Sequence, residues 1–203
     1  MGKCIGIVAV SVLVVAAQPN REFRVQPASS TVLVQVNRGG LFAFAGHDHE
    51  VAASAVAGSV SLNPSDVGRS QVTLRFDARA LKVTGRGEPE KDVAEVQRTM
   101  LSERVLDAER YPTIEFESNR ISMVERSADG FRLRIEGRLM LHGTSQPLAV
   151  PVTVRLDGDR MTATGTATVR QSSFGIRPVT AAAGTVRVKD EVSVTFTIVA
   201  TAQ

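Results

Sequence analysis

Three histidines are the side chains best suited to chemistry: His47, His49 and His142. If Gly46-His47-Asp48-His49 is extended, His47 and His49 share one face and Asp48 lies on the other. The pair meets His142 only if the fold lays Leu141-His142-Gly143 alongside. Three imidazoles with an open position would bind zinc and activate water, giving a metal-dependent hydrolase. The same side chains, hydrogen-bonded at loop corners, would instead orient the chain or a polar head group. Arg170 and Arg177 flank Phe174-Gly175-Ile176, and each guanidinium suits a phosphate head group or a solvated surface. Other chemistry finds little purchase. There is no Gly-x-Ser-x-Gly elbow, and Gly85-Arg86-Gly87 precedes a helical pattern outside the βαβ context that a dinucleotide fingerprint needs. Glu115 and Glu117 alternate along a strand pattern, where ordinary solvated carboxylates sit.

The elements that must position these groups are mostly strands. Phe131 to Leu156 organises the chain: Phe131, Leu133, Ile135, Gly137, Leu139 and Leu141 alternate with Arg132, Arg134, Glu136, Arg138, Met140 and His142. After an expected turn at Gly143-Thr144-Ser145-Gln146, Leu148, Val150, Val152, Val154 and Leu156 resume the apolar face. A period of two over such length predicts a long antiparallel hairpin with one apolar face, and Gly137 marks a bend or a close approach. Arg21 to Gln26, Ser30 to Asn37, Gln71 to Arg79, Arg160 to Gln171 and Asp190 to Ala202 read as further strands. Leu41 to Pro64 reads as two strands around a short connection, turning at Asn63-Pro64-Ser65-Asp66. Thr113 to Ser118 and Asn119 to Glu125 read as two more. Between them the period changes, and Val93, Val96 and Met100 predict one amphipathic helix within Glu88 to Leu106, placed to cover one end of the sheet.

The chain has 203 residues, 43% of them hydrophobic, with nine aromatic residues and no Trp, so its apolar content is chiefly Val, Ala, Leu and Ile. Lys3, the apolar run Ile5 to Val15 and Val15-Ala16-Ala17 read as a signal peptide over 1–17, leaving one domain over 18–203. The apolar run is shorter than the ~20 residues of a spanning helix, so the mature chain is expected to have no transmembrane segment and to be periplasmic or secreted. Cys4, the one cysteine, leaves with the leader, which excludes disulfides and cysteine chemistry from the remainder. A net charge of +3, from 24 basic and 21 acidic residues, does not point to nucleic acid. Long strands with a single helix favour a closed all-β antiparallel barrel of about eight strands over a sandwich. Its inward residues are small enough to leave a lumen or large enough to fill one; composition allows both.

Several pieces then come in a telling order: Gly40-Leu41-Phe42-Ala43-Phe44, Ala57-Gly58-Ser59-Val60, Met100-Leu101-Ser102, Tyr111 to Ser118, Ile135 to Gly143, Thr144 to Leu148, and Arg170 with Phe174-Gly175-Ile176. This succession resembles the bacterial periplasmic YceI-like family across essentially the whole mature chain. The resemblance implies an extended lipocalin-like barrel whose apolar lumen holds a polyisoprenoid or similar long-chain amphiphilic lipid, without a catalytic cofactor. Alternation places the lining on Val34, Val36, Leu74, Phe76, Ile114, Phe116, Leu133, Ile135, Val150, Val152, Val194 and Phe196. Phe42, Phe44 and Phe174 join that ligand-contact set. His47, His49, His142, Arg170 and Arg177 are the head-group candidates. Where many relatives carry a His-Ser pair before the first long strand, this chain has Ala28-Ser29-Ser30. A metal-dependent hydrolase and a structural or stress-response module stand as the other two readings.

Overall fold

The computed structural model describes residues 19–39, 48–53, 56–181 and 186–203. The expected leader lies outside them, as do Phe42, Phe44 and His47. The strands are β1 (Arg21–Val25), β2 (Thr31–Val36), β3 (Arg38–Gly39), β4 (His49–Ala53), β5 (Val56–Leu62), β6 (Gln71–Asp77), β7 (Leu81–Val83), β8 (Thr113–Ser127), β9 (Gly130–Leu141), β10 (Thr144–Asp157), β11 (Arg160–Arg170), β12 (Thr180–Ala181), β13 (Val186–Val188) and β14 (Glu191–Ala202). One α-helix, α1, covers Glu90–Leu101.

Alternating side chains give each long strand one apolar face, and an antiparallel sheet hides such faces without leaving edges by closing on itself. The order β1-β5-β6-β8-β9-β10-β11-β14 does so, with β14 pairing back onto β1. The result is a closed eight-stranded antiparallel barrel. β14 pairs with β2 through its first half and with β1 through its second, so β1 and β2 form one course, broken by a 3-10 turn at Pro27–Ser29. β4 continues into β5 as the next course, and β6 into β7 as a third, bent at the 3-10 turn Ala78–Ala80. A small second sheet orders β12-β13-β3.

Among the described strands β7 pairs only with β4, and α1 completes its free edge. The Val83 N–H donates to Gln97 Oε1 at 2.8 Å, and Gln97 Nε2 donates to the Leu81 carbonyl at 2.9 Å. One side-chain amide thus replaces a backbone partner. The same face of α1 packs Val93, Val96 and Met100 on the core. The helix falls within the segment Glu88 to Leu106, as expected. Pro89 occupies its N-cap, and the chain leaves helical geometry at Ser102.

Two expectations need correction. The β9–β10 turn is not at Gly143 to Gln146. Leu141 pairs directly with Thr144, and His142-Gly143 form a two-residue turn with φ of 51° and 69°, the both-positive pattern of a type I′ hairpin that glycine readily supplies. The two strands expected over Thr113 to Glu125 are a single β8, and the supposed break is a pair of register shifts, between Ser118 and Arg120 and between Met123 and Glu125. Such bulges bend a long strand around a barrel without ending it.

Candidate functional site

The inward faces enclose an apolar cavity of ≈ 280 Å³, close to the lower end of the ~300–1,000 Å³ usual for small-molecule sites. The twelve side chains expected from alternation, Val34, Val36, Leu74, Phe76, Ile114, Phe116, Leu133, Ile135, Val150, Val152, Val194 and Phe196, all lie in its wall. Every residue of the wall is apolar except Ser70 and Gln171, and both have other partners. Ser70 Oγ accepts from the Asn63 N–H at 2.9 Å, and Gln171 Nε2 donates to the Lys189 carbonyl at 2.8 Å.

Two glycines keep the lumen open. Gly137 and Gly165 share the inward parity of Ile135 and Ala163. A Cβ at Gly137 would lie 2.7 Å from Phe116 Cζ, and one at Gly165 2.6 Å from Phe196 Cζ. Each ring therefore lies back over a glycine where a larger side chain would push it into the lumen.

The wall also holds Val51, Ala53, Leu81, Met161, Ala163, Ala167, Val169 and Ile176, which the sequence reading left out. Met161, Ala163, Ala167 and Val169 are the alternate residues of β11, so their period carried the signal; their small size hid it among the threonines. Phe174 is a correction. It is buried beside Leu139, Val169, Ile176 and Val192 in a small cluster, and it does not line the cavity.

The described polar candidates, His49, His142, Arg170 and Arg177, stand outside the cavity wall. His49 Nδ1 lies 2.9 Å from Glu88 Oε1, and that carboxylate is 1% exposed. His142 Nδ1 lies 3.1 Å from the Phe174 carbonyl, its ring meeting Tyr111 edge-on with centroids 4.8 Å apart. Arg170 pairs with Glu191 at 2.8 Å on the outer face, and Arg177 is exposed. His49, His142 and Arg170 do share one end of the barrel, where β2, β9 and β11 finish and β4, β10 and β14 begin. Each is engaged by a different neighbour, and among the described residues no three His, Cys, Asp or Glu side chains are grouped to hold a metal ion.

At that same end β10 and β11 separate. Their ladder runs from Asp157–Arg160 only as far as Val152–Gly165. With Leu141 and Thr144 as the first hydrogen-bonded pair, the odd-numbered residues of β10 aim their backbone groups at β11. Two of them, Pro147 and Pro151, have no N–H to give. The gap is covered by the corner after β11, a 3-10 turn at Gln171–Phe174 closed by Gly175 in the left-handed region, φ 75°. Asp190 holds the corner from beneath: its carboxylate accepts from the Ser172 hydroxyl at 2.6 Å and the Ser172 N–H at 2.8 Å. These bonds, the hydroxyl's first, keep the carboxyl below its ordinary value.

A sequence model of the YceI-like domain matches residues 23–200, nearly all of this barrel. The chain belongs to the YceI-like family. Its fold is similar to the crystal structure of Burkholderia cenocepacia BcnA, at 22% identity and a TM-score of 0.68, covering 87% of this chain and 99% of that one. It is also similar to the Campylobacter jejuni YCEI protein, at 9% identity and a TM-score of 0.58, covering 75% of this chain and 84% of that one. No curated protein matches the chain. At these identities the structural likeness is one of fold. A YceI-like barrel is a binding-protein fold, and in this member the space it encloses is apolar on all sides. No helix among the described residues is long and apolar enough to cross a membrane.

Proposed function

We propose that this YceI-like protein is an exported carrier, periplasmic or secreted, that holds a polyisoprenoid or a similar long-chain amphiphile with its tail in the barrel lumen. The observation that carries this reading is the wall: ≈ 280 Å³ of space bounded by apolar side chains, whose two polar members already have partners. Water needs two to four polar partners to reside in a cavity, so this one favours hydrocarbon over water. At ~0.8 kcal/mol per buried methylene, about ten methylenes supply affinity in the micromolar range before ordering costs. A slender tail therefore needs no polar contact inside, and its head group would rest at a barrel end. The leader-like start, Lys3 followed by Ile5 to Val15, supports export.

Titration with prenyl alcohols of increasing length tests this. Affinity should rise about fourfold per added methylene until the lumen is full, then level off. Affinity independent of chain length, or absent at every length, would remove the carrier reading.

A further inference from the structure

The geometry points to a side door: the corner Gln171–Ile176 covers a lateral portal between β10 and β11 and swings off β10 to open the lumen. That a ligand's chain passes through it rests on the carrier reading; the door itself does not.

The portal is built into the sequence of β10. Pro147 and Pro151 remove two of the N–H groups that would extend the ladder to β11 beyond Val152, one on either side of Ala149. At this end the β10–β11 seam is closed by side chains rather than by a backbone ladder, as the free edge of β7 is closed by α1. Ile176, Val169 and Gln171 face the lumen from the corner and its approach, and Phe174 is 4% exposed above them. Lifting the corner would thus uncover the cavity directly.

Its fastenings are unequal. Toward β14 the Gln171 N–H donates to the Asp190 carbonyl, Ser172 donates twice to the Asp190 carboxylate, and the Gln171 side chain donates to the Lys189 carbonyl. Toward the hairpin that ends β9 and begins β10, two side chains reach corner carbonyls. Gln146 Nε2 donates to Ser173 O at 2.9 Å, and His142 Nδ1 lies 3.1 Å from Phe174 O. The β14 side is the hinge and the β10 side the latch. Opening gives up the two latch bonds and the packing of Phe174 and Ile176 against Leu139, without unzipping a backbone ladder.

Two measurements decide the matter. In protein with Cys4→Ser, the lumen-facing Ala167→Cys reports access through its rate of labelling by a small maleimide. Losing one latch hydrogen bond, Gln146→Ala should raise that rate about fivefold, while Gln97→Ala, which loosens α1 on the opposite side of the same end, should leave it unchanged. The door is refuted if Gln146→Ala has no effect, or if Gln97→Ala speeds labelling instead. In the second arm, Gln146→Cys with Ser173→Cys is bridged by a short bis-maleimide. Uptake and release of a fluorescent prenyl chain should both slow at least tenfold at unchanged Kd, and unaltered rates would overturn the route. If the unsubstituted protein takes up no prenyl chain, the carrier reading fails, and the labelling rates alone then support or refute the door.

Discussion

Ala167→Phe separates an open lumen from a packed core. Ala167 is 7% exposed and its methyl group faces the cavity. The substitution adds six ring carbons to a space of ≈ 280 Å³. If those carbons displace about six carbons of a bound tail at ~0.8 kcal/mol each, up to about 5 kcal/mol of affinity is lost, more than a thousandfold in Kd. The ligand-free protein should respond in the opposite sense. A void costs ~24 cal/mol per Å³ in mutational series, so partly filling the lumen should leave urea stability equal or higher. Fluorescent prenyl titration and urea unfolding of the same preparation read both quantities. A core already filled by its own side chains would instead suffer overpacking, a loss of about 1–3 kcal/mol. Destabilisation of that size, or prenyl affinity within a few-fold of the parent, would refute the reasoning.

Gly137→Ala should cost about 1–3 kcal/mol in urea melts, because the new Cβ meets the Glu117 carbonyl at 2.3 Å as well as the Phe116 ring. His49→Ala strips the buried Glu88 carboxylate of its neighbour; a loss of about 3 kcal/mol is expected, and adding Glu88→Gln should recover most of it in the same melts. The Asp190 carboxyl is depressed below its ordinary 3.8 by Ser172, so its contribution to holding the corner is present above that value and is lost as pH falls through the folded pKa. Hydrogen exchange at the Ser172 amide should show full protection persisting below pH 3.8 and falling on further acidification to the weaker, pH-independent level expected of Asp190→Asn.

The barrel was legible because closure depends on a period of two, and Val32-Val34-Val36, Phe131 to Leu141 and Val192 to Ile198 state that period without interruption. The cavity wall followed from the same parity, since inward residues are decided as soon as a strand is registered. Its emptiness was not legible, because the positions of the Phe116 and Phe196 rings depend on glycines across the neighbouring strand, Gly137 and Gly165. Pro147 and Pro151 are plain in the sequence, but their effect depends on which side of β10 each lost N–H faces, and the placement of the hairpin turn at His142-Gly143 sets that. The contacts of His49 with Glu88 and of His142 with Phe174 join segments distant in sequence, and no local pattern announces them. Phe174 was misassigned for a related reason: its corner is irregular, so no strand parity tells which way the ring points.

The most direct measurement of the central claim is mass spectrometry of the protein purified from its native host, intact under non-denaturing conditions and again after extraction with organic solvent. A mass increment that disappears on extraction, together with one long-chain isoprenoid or comparable amphiphile recovered in about equimolar amount, is the predicted result. Intact protein carrying no added mass, with an extract free of long-chain lipid, would contradict it.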